Sequence, residues 1–100
     1  MDYNKLVRDR MPEILEARNI PFETRILDDA EYKTELIKKL QEEVSEFTEN
    51  PSAEELADIM EVVRALRHLP DFDEAKAIQR SKREERGGFT DKIMMKGTIQ

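Results

Sequence analysis

Asn50-Pro51-Ser52 restricts this chain more than any other feature, because helical apolar spacing runs into it and resumes beyond it. Upstream, Tyr32, Leu36, Leu40, Val44 and Phe47 keep helical intervals from about Ala30 to Glu49, with Asp28 or Asp29 as cap. Downstream, Leu56, Ile59, Met60, Val62, Val63 and Leu66 mark an apolar face that continues to about Leu69, where Pro70 stops it. So short a connection forces the two helices to lie antiparallel. The expected fold is all-α, an antiparallel helical hairpin or bundle.

The flanks are shorter elements. Pro12 suits the first turn of a helix to about Arg18, with Ile14 and Leu15 inward, and Asn19-Ile20-Pro21 breaks it. Phe22-Glu-Thr-Arg-Ile-Leu27 alternates and is rich in β-formers, which predicts a short strand. Phe89-Thr-Asp-Lys-Ile-Met-Met95 is a second candidate strand, able to pair with the first. Between them, Asp71 or Asp73 is expected to cap a last helix through Arg86, with Gly87-Gly88 as its left-handed stop. No repeat or linker divides the chain, so residues 1–100 are expected to form one domain.

Two carboxylate pairs sit inside the long helical patterns, Glu43-Val-Ser-Glu46 and Glu55-Leu-Ala-Asp58. At about 100° per residue, Leu36, Leu40 and Phe47 fall within about 40° of one another, and Glu43 shares their arc. Glu46 lies on its edge, about 60° from Glu43. Glu55 projects into the apolar arc of the next helix, and Asp58 borders it. In a hairpin the two pairs face each other across the groove. Two like charges at 4 Å repel by about 4 kcal/mol at an effective dielectric near 20, so such a cluster requires a cation or protons. Oxygen ligands alone suit Mg²⁺ or Mn²⁺.

Plainer roles exist for some of these residues. Glu42, Glu49, Glu54 and Glu61 read as solvated-face groups, and His68 lies off the apolar arc, at the surface. Ser52-Ala-Glu-Glu55 is also a capping-box pattern, in which Glu55 folds back on the Ser52 backbone and is no ligand. Asn50 as cap, with Pro51 as first helical residue, frees it. Spacing leaves both open.

Composition narrows the function classes. Cysteine is absent, which removes disulfides, thiolate zinc sites and cysteine nucleophiles, and fits a cytoplasmic protein. No apolar run exceeds three residues, so neither a signal peptide nor a membrane span is expected. The apolar fraction of 38% against 40% charged implies a thin core and an oligomer. A net charge of −6 argues against bulk nucleic-acid binding. That charge is unevenly spread: residues 28–61 hold twelve acidic and three basic groups, and residues 76–86 five basic and two acidic. With Lys5, Arg8 and Arg10 near the start, an acidic middle lies between basic ends, a layout suited to an anionic ligand held through a metal ion.

Glu42-Glu43-x-x-Glu46 followed by Glu55-x-x-Asp58 resembles the MazG-like, all-α nucleoside triphosphate pyrophosphohydrolases. Tyr3-Asn-Lys-Leu-Val-Arg-Asp-Arg-Met-Pro12 and Glu84-Glu-Arg-Gly-Gly-Phe89 are similar to its phosphoribosyl-ATP pyrophosphohydrolase-like, or predicted house-cleaning, subgroup. With Leu27-Asp-Asp29 and Lys39-Leu40, the similarity covers nearly the whole chain. It implies Mg²⁺-dependent cleavage of a nucleotide between its α and β phosphates, giving a nucleoside monophosphate and pyrophosphate. The implied metal ligands are Glu43, Glu46, Glu55 and Asp58, and Glu42 would orient the attacking water from the side. Lys5, Arg8, Arg10, Lys82 and Arg86 would neutralise phosphate charge, helped by Lys39.

Assembly into a homo-dimer or homo-tetramer is implied as well. Only eight residues separate Glu46 from Glu55, a shorter gap than is usual in MazG-type enzymes, so the groove for the base is expected to differ. The expected substrate is a non-standard or excess NTP. Phosphoribosyl-ATP is the alternative substrate, and a helical oligomerisation or regulatory module the non-catalytic alternative.

Overall fold

Asp28 opens the longest helix by accepting a 2.8 Å hydrogen bond from the Glu31 amide, and α2 then runs Asp29–Glu49. Ser52 opens α3, Ala53–Arg67, in the same way, accepting a 3.2 Å bond from the Glu55 amide. Caps of this kind stabilise a helix by about 1 kcal/mol each. The computed structural model describes residues 4–98, and among them the chain is all-helical, with no strand. Tyr3, in the N-terminal block, lies outside the described residues. The remaining elements are α1 (Met11–Ala17), a 3-10 turn (Pro70–Phe72) and α4 (Ala75–Arg86). No helix among the described residues is long and apolar enough to cross a membrane.

α2 and α3 pack together as an antiparallel hairpin. Its centre is Leu36, 3% exposed, and Val62, 8% exposed, with Leu40, Phe47, Ile59 and Leu66 half-buried around them. So small a core makes each member count. Leu36→Ala is expected to cost about 2–5 kcal/mol, a large share of a small domain's stability. Urea denaturation measures this, and an unchanged midpoint would contradict the placing of Leu36 at the core.

Ion pairs fasten the other pieces to the hairpin. Lys33, in the first turns of α2, pairs with Asp71, and its ammonium lies 5.3 Å from the centre of the Phe72 ring. That clamps the 3-10 turn against the start of α2. Lys5 and Arg8 reach Glu42 and Asp58, laying the N-terminal segment across the hairpin with Leu6 and Val7 half-buried. Pro12 lies in the first turn of α1. At its end Asn19, at φ +55°, lets the Asn19 and Ile20 amides bond back to the Glu16 and Leu15 carbonyls.

Several expectations need correction. Residues 22–27 and 89–95 form no strand, and no backbone hydrogen bond joins the two segments. Alternation prepares a segment for a sheet but supplies no ladder partner, and Ile26 and Phe89 are almost fully exposed. Ile14 is exposed, while Leu15 is half-buried. Val44, Leu56, Met60 and Val63 belong to the apolar pattern yet are exposed, because among the described residues nothing covers that side of the hairpin. Glu74, not Asp71 or Asp73, precedes α4, with no side-chain cap. Gly87 ends α4 at φ +78° and ψ −177°: the φ is positive, but the ψ is not that of a left-handed helical cap.

Every residue from Asp73 to Thr98 is exposed. The described chain measures 56 × 32 × 23 Å with a radius of gyration of 17.9 Å, against about 13 Å for a compact domain of 100 residues.

Candidate metal centre

Glu43 is where the hairpin departs from ordinary packing. It lies in line with Leu36 on the inner face of α2 and is only 7% exposed, the most buried charged residue described. Its Oε1 stands 3.7 Å from Lys39 Nζ, one turn back on the same helix. Its Oε2 is buried and has no hydrogen-bond partner. Across the groove, Glu55 Oε2 is likewise buried and unpartnered. Buried polar atoms are nearly always satisfied, so two orphaned oxygens facing one groove need either a cation or protons to balance them.

The antiparallel hairpin brings these groups together. One carboxylate oxygen from each of Glu43, Glu55 and Asp58 lies within 4.8 Å of the others. Glu46, on the exposed rim, is close enough for its charge to act on both Glu43 and Glu55. Three of the four ligands expected from the resemblance therefore meet, and the fourth borders them. The capping alternatives also resolve. Ser52 is the cap, but it takes the amide of Glu55, and no bond returns from the Glu55 carboxylate to the Ser52 backbone. The side chain stays in the groove.

Burial is the main cause that pushes the Glu43 carboxyl above its ordinary value, followed by the Glu46 charge, with Lys39 opposing. Glu55 is raised as well, by desolvation first and then by Glu46 and Asp58. Glu42 goes the other way: a 3.0 Å hydrogen bond from Lys5 holds its carboxyl low, and Lys39 at 3.6 Å adds to this. Both ammonium groups meet Oε1, and the lowered carboxyl is a weaker base for the water-orienting role expected of Glu42.

The basic residues divide into two groups. Lys5 and Arg8 do reach the hairpin, but they meet carboxylates: Lys5 meets Glu42, and Arg8 meets Asp58 at 2.8 Å. Lys39 lies between Glu42 and Glu43. Arg10 turns to Glu13 of α1 at 3.3 Å and is not brought to the cluster. Lys82 and Arg86 lie on the exposed α4, and no ion pair among the described residues joins them to the carboxylates. The pairing of Lys5 and Arg8 with site carboxylates was not foreseen. Its only trace in the sequence is the basic N-terminal block itself.

Three converging carboxylates and two orphaned buried oxygens form an all-oxygen donor set of the kind that could hold a hard divalent cation such as Mg²⁺ or Mn²⁺. No family model, no curated protein and no solved structure matches the chain.

Proposed function

We propose that this chain is a Mg²⁺-dependent nucleotide pyrophosphohydrolase of the MazG-like kind. It would cleave a nucleoside triphosphate between the α and β phosphates to a monophosphate and pyrophosphate. The observation that carries this is the pair of buried, unpartnered oxygens of Glu43 and Glu55, beside Asp58. A buried acidic group of this kind is costly to maintain for folding alone.

Glu43, Glu55 and Asp58 would hold the ion, with Glu46 as the ligand at the rim. Mg²⁺, when bound, supplies positive charge to phosphate oxygens and acidifies water. The chain's own cations do the rest. Arg8 now balances Asp58 from an exposed position, with its side chain 60% accessible, so its guanidinium is free to turn to a phosphate once the carboxylate has another partner. Lys5 pairs with Glu42, and Lys39 sits between Glu42 and Glu43. Both place positive charge beside the groove where phosphate charge would develop.

Assembly into dimers or tetramers belongs to the same proposal, because exposed apolar residues on both hairpin helices suit a subunit contact. The test is product analysis. The purified chain is incubated with Mg²⁺ and a panel of standard and modified NTPs, and the products are separated. Monophosphate with pyrophosphate is expected. Diphosphate with orthophosphate would point to another hydrolase, and no turnover across the panel would sink the proposal.

A further inference from the structure

The last quarter of the chain is built for a contact that its own hairpin does not make. α4 has twelve residues, all exposed, and no side-chain cap at its start. Lone helices shorter than about 12–15 residues are marginal in water. Beyond it, Phe89 is 98% exposed and Met94 94%, with Ile93 and Met95 about three-quarters exposed. The arm leaves from the 3-10 turn that Lys33 clamps through Asp71 and Phe72, and every residue of α4 is exposed.

The hairpin carries the complementary surface. Ile37 and Val44 of α2 and Leu56, Met60 and Val63 of α3 are exposed. On each helix these residues lie roughly 100–160° from its inward line (Glu43 on α2, Val62 on α3), in the same rotational sense. Because the helices are antiparallel, equal rotation brings both stripes to one face. Glu42 and Asp58, which hold the N-terminal segment, lie in the opposite sense, so that segment leaves the apolar face open. Charge agrees with shape. The hairpin region 28–61 has a net charge of −9, and residues 76–86 a net charge of +3.

We infer that the C-terminal arm of one chain docks on the apolar hairpin face of a second copy, seating residues 89–95 there and laying the basic α4 along that copy's acidic hairpin. Docked in this way, Lys82 and Arg86 serve the neighbour's carboxylate groove, which no residue of α4 reaches within its own chain. That last consequence rests on the proposed reaction; the docking does not, and a cross-linking test separates the two.

The absence of native cysteine makes such a test clean. Full-length Met60→Cys chains are mixed with Phe89→Cys, Ile93→Cys or Met94→Cys chains in turn, oxidised, and resolved by mass. At least one pairing should give disulfide-linked heterodimers several-fold above those formed with Glu61→Cys, which lies on the opposite face. In parallel, Phe89→Asp should lower the mass of the native particle measured by light scattering. Three results would overturn the inference: heterodimers no more abundant than with the Glu61→Cys control, a wild-type chain that is monomeric, or a Phe89→Asp particle of unchanged mass. The last would leave hairpin-on-hairpin contact as the assembly. Loss of turnover with intact cross-linking would count against the reaction and not the arm.

Discussion

Asp58→Asn should lower kcat/KM by about a thousandfold or more while leaving the helical content unchanged. Asp58 brings the third carboxylate to Glu43 and Glu55, and an amide keeps its size while removing the charge that would help to hold an ion. Loss of about 4 kcal/mol of ion-mediated stabilisation corresponds to roughly 10³ in rate. The structural cost is small, because Arg8, the partner left behind, is solvent-accessible and exposed pairs contribute little to stability. Circular dichroism checks the fold and steady-state kinetics the activity. Full activity in the variant would remove Asp58 from the site.

The second large effect concerns pH and metal together. Glu43 and Glu55 have folded-state carboxyls raised above their ordinary value of 4.5. A raised carboxyl binds more protons in the folded chain than in the unfolded one, so stability falls as pH climbs from about 4.5 through the raised values. Glu42 and Glu31 shift downward, through Lys5 and Arg25 respectively, and their contribution is lost only as pH falls below 4.5. Between mildly acidic and neutral pH only the first trend acts. The metal-free chain should therefore lose melting temperature as pH climbs from about 4.5 toward neutrality, and Mg²⁺ should reverse that loss at neutral pH.

A hundredfold excess of Mg²⁺ over its Kd contributes about 2.7 kcal/mol, or ten degrees or more in Tm for a domain of this size, at roughly 4–8 °C per kcal/mol. Glu43→Gln should raise the metal-free Tm at neutral pH and abolish most of the Mg²⁺ response. A metal-free Tm that rises steadily from about pH 4.5 to neutrality would contradict the cluster's strain.

The hairpin was legible in the sequence because independent local signals agreed. The 28–52 stretch carries cap candidates at each helix start, a helical apolar period and a proline-containing turn, and together they place the two helices to within a residue or two. Glu43 could be singled out because helical geometry alone aligns it with Leu36 and Phe47. Glu55 could not be settled in advance. The same Ser52 serves either a full capping box or a cap that uses only the Glu55 amide, and the choice depends on what the opposite helix offers.

The rest depends on contacts distant in sequence. Nothing local pairs Arg8 with a carboxylate fifty residues away, or Lys5 with one thirty-seven residues away. Periodicity marked Leu56, Met60 and Val63 as apolar-face residues, but it cannot say whether the chain itself covers that face. The two strand candidates failed for a related reason: alternation is a local property and a ladder is not.

Counting bound metal tests the central claim most directly, and Mn²⁺ reports on the same oxygen ligands with a paramagnetic signal. Titration of the full chain with Mn²⁺ near pH 7.5, with free ion read by electron paramagnetic resonance, should give saturable binding at one or two ions per chain. In Glu43→Gln that binding should weaken at least tenfold. Linear, unsaturable uptake by the wild-type chain, or an unchanged isotherm in the variant, would contradict the assignment of the Glu43, Glu55 and Asp58 groove as a divalent-cation site.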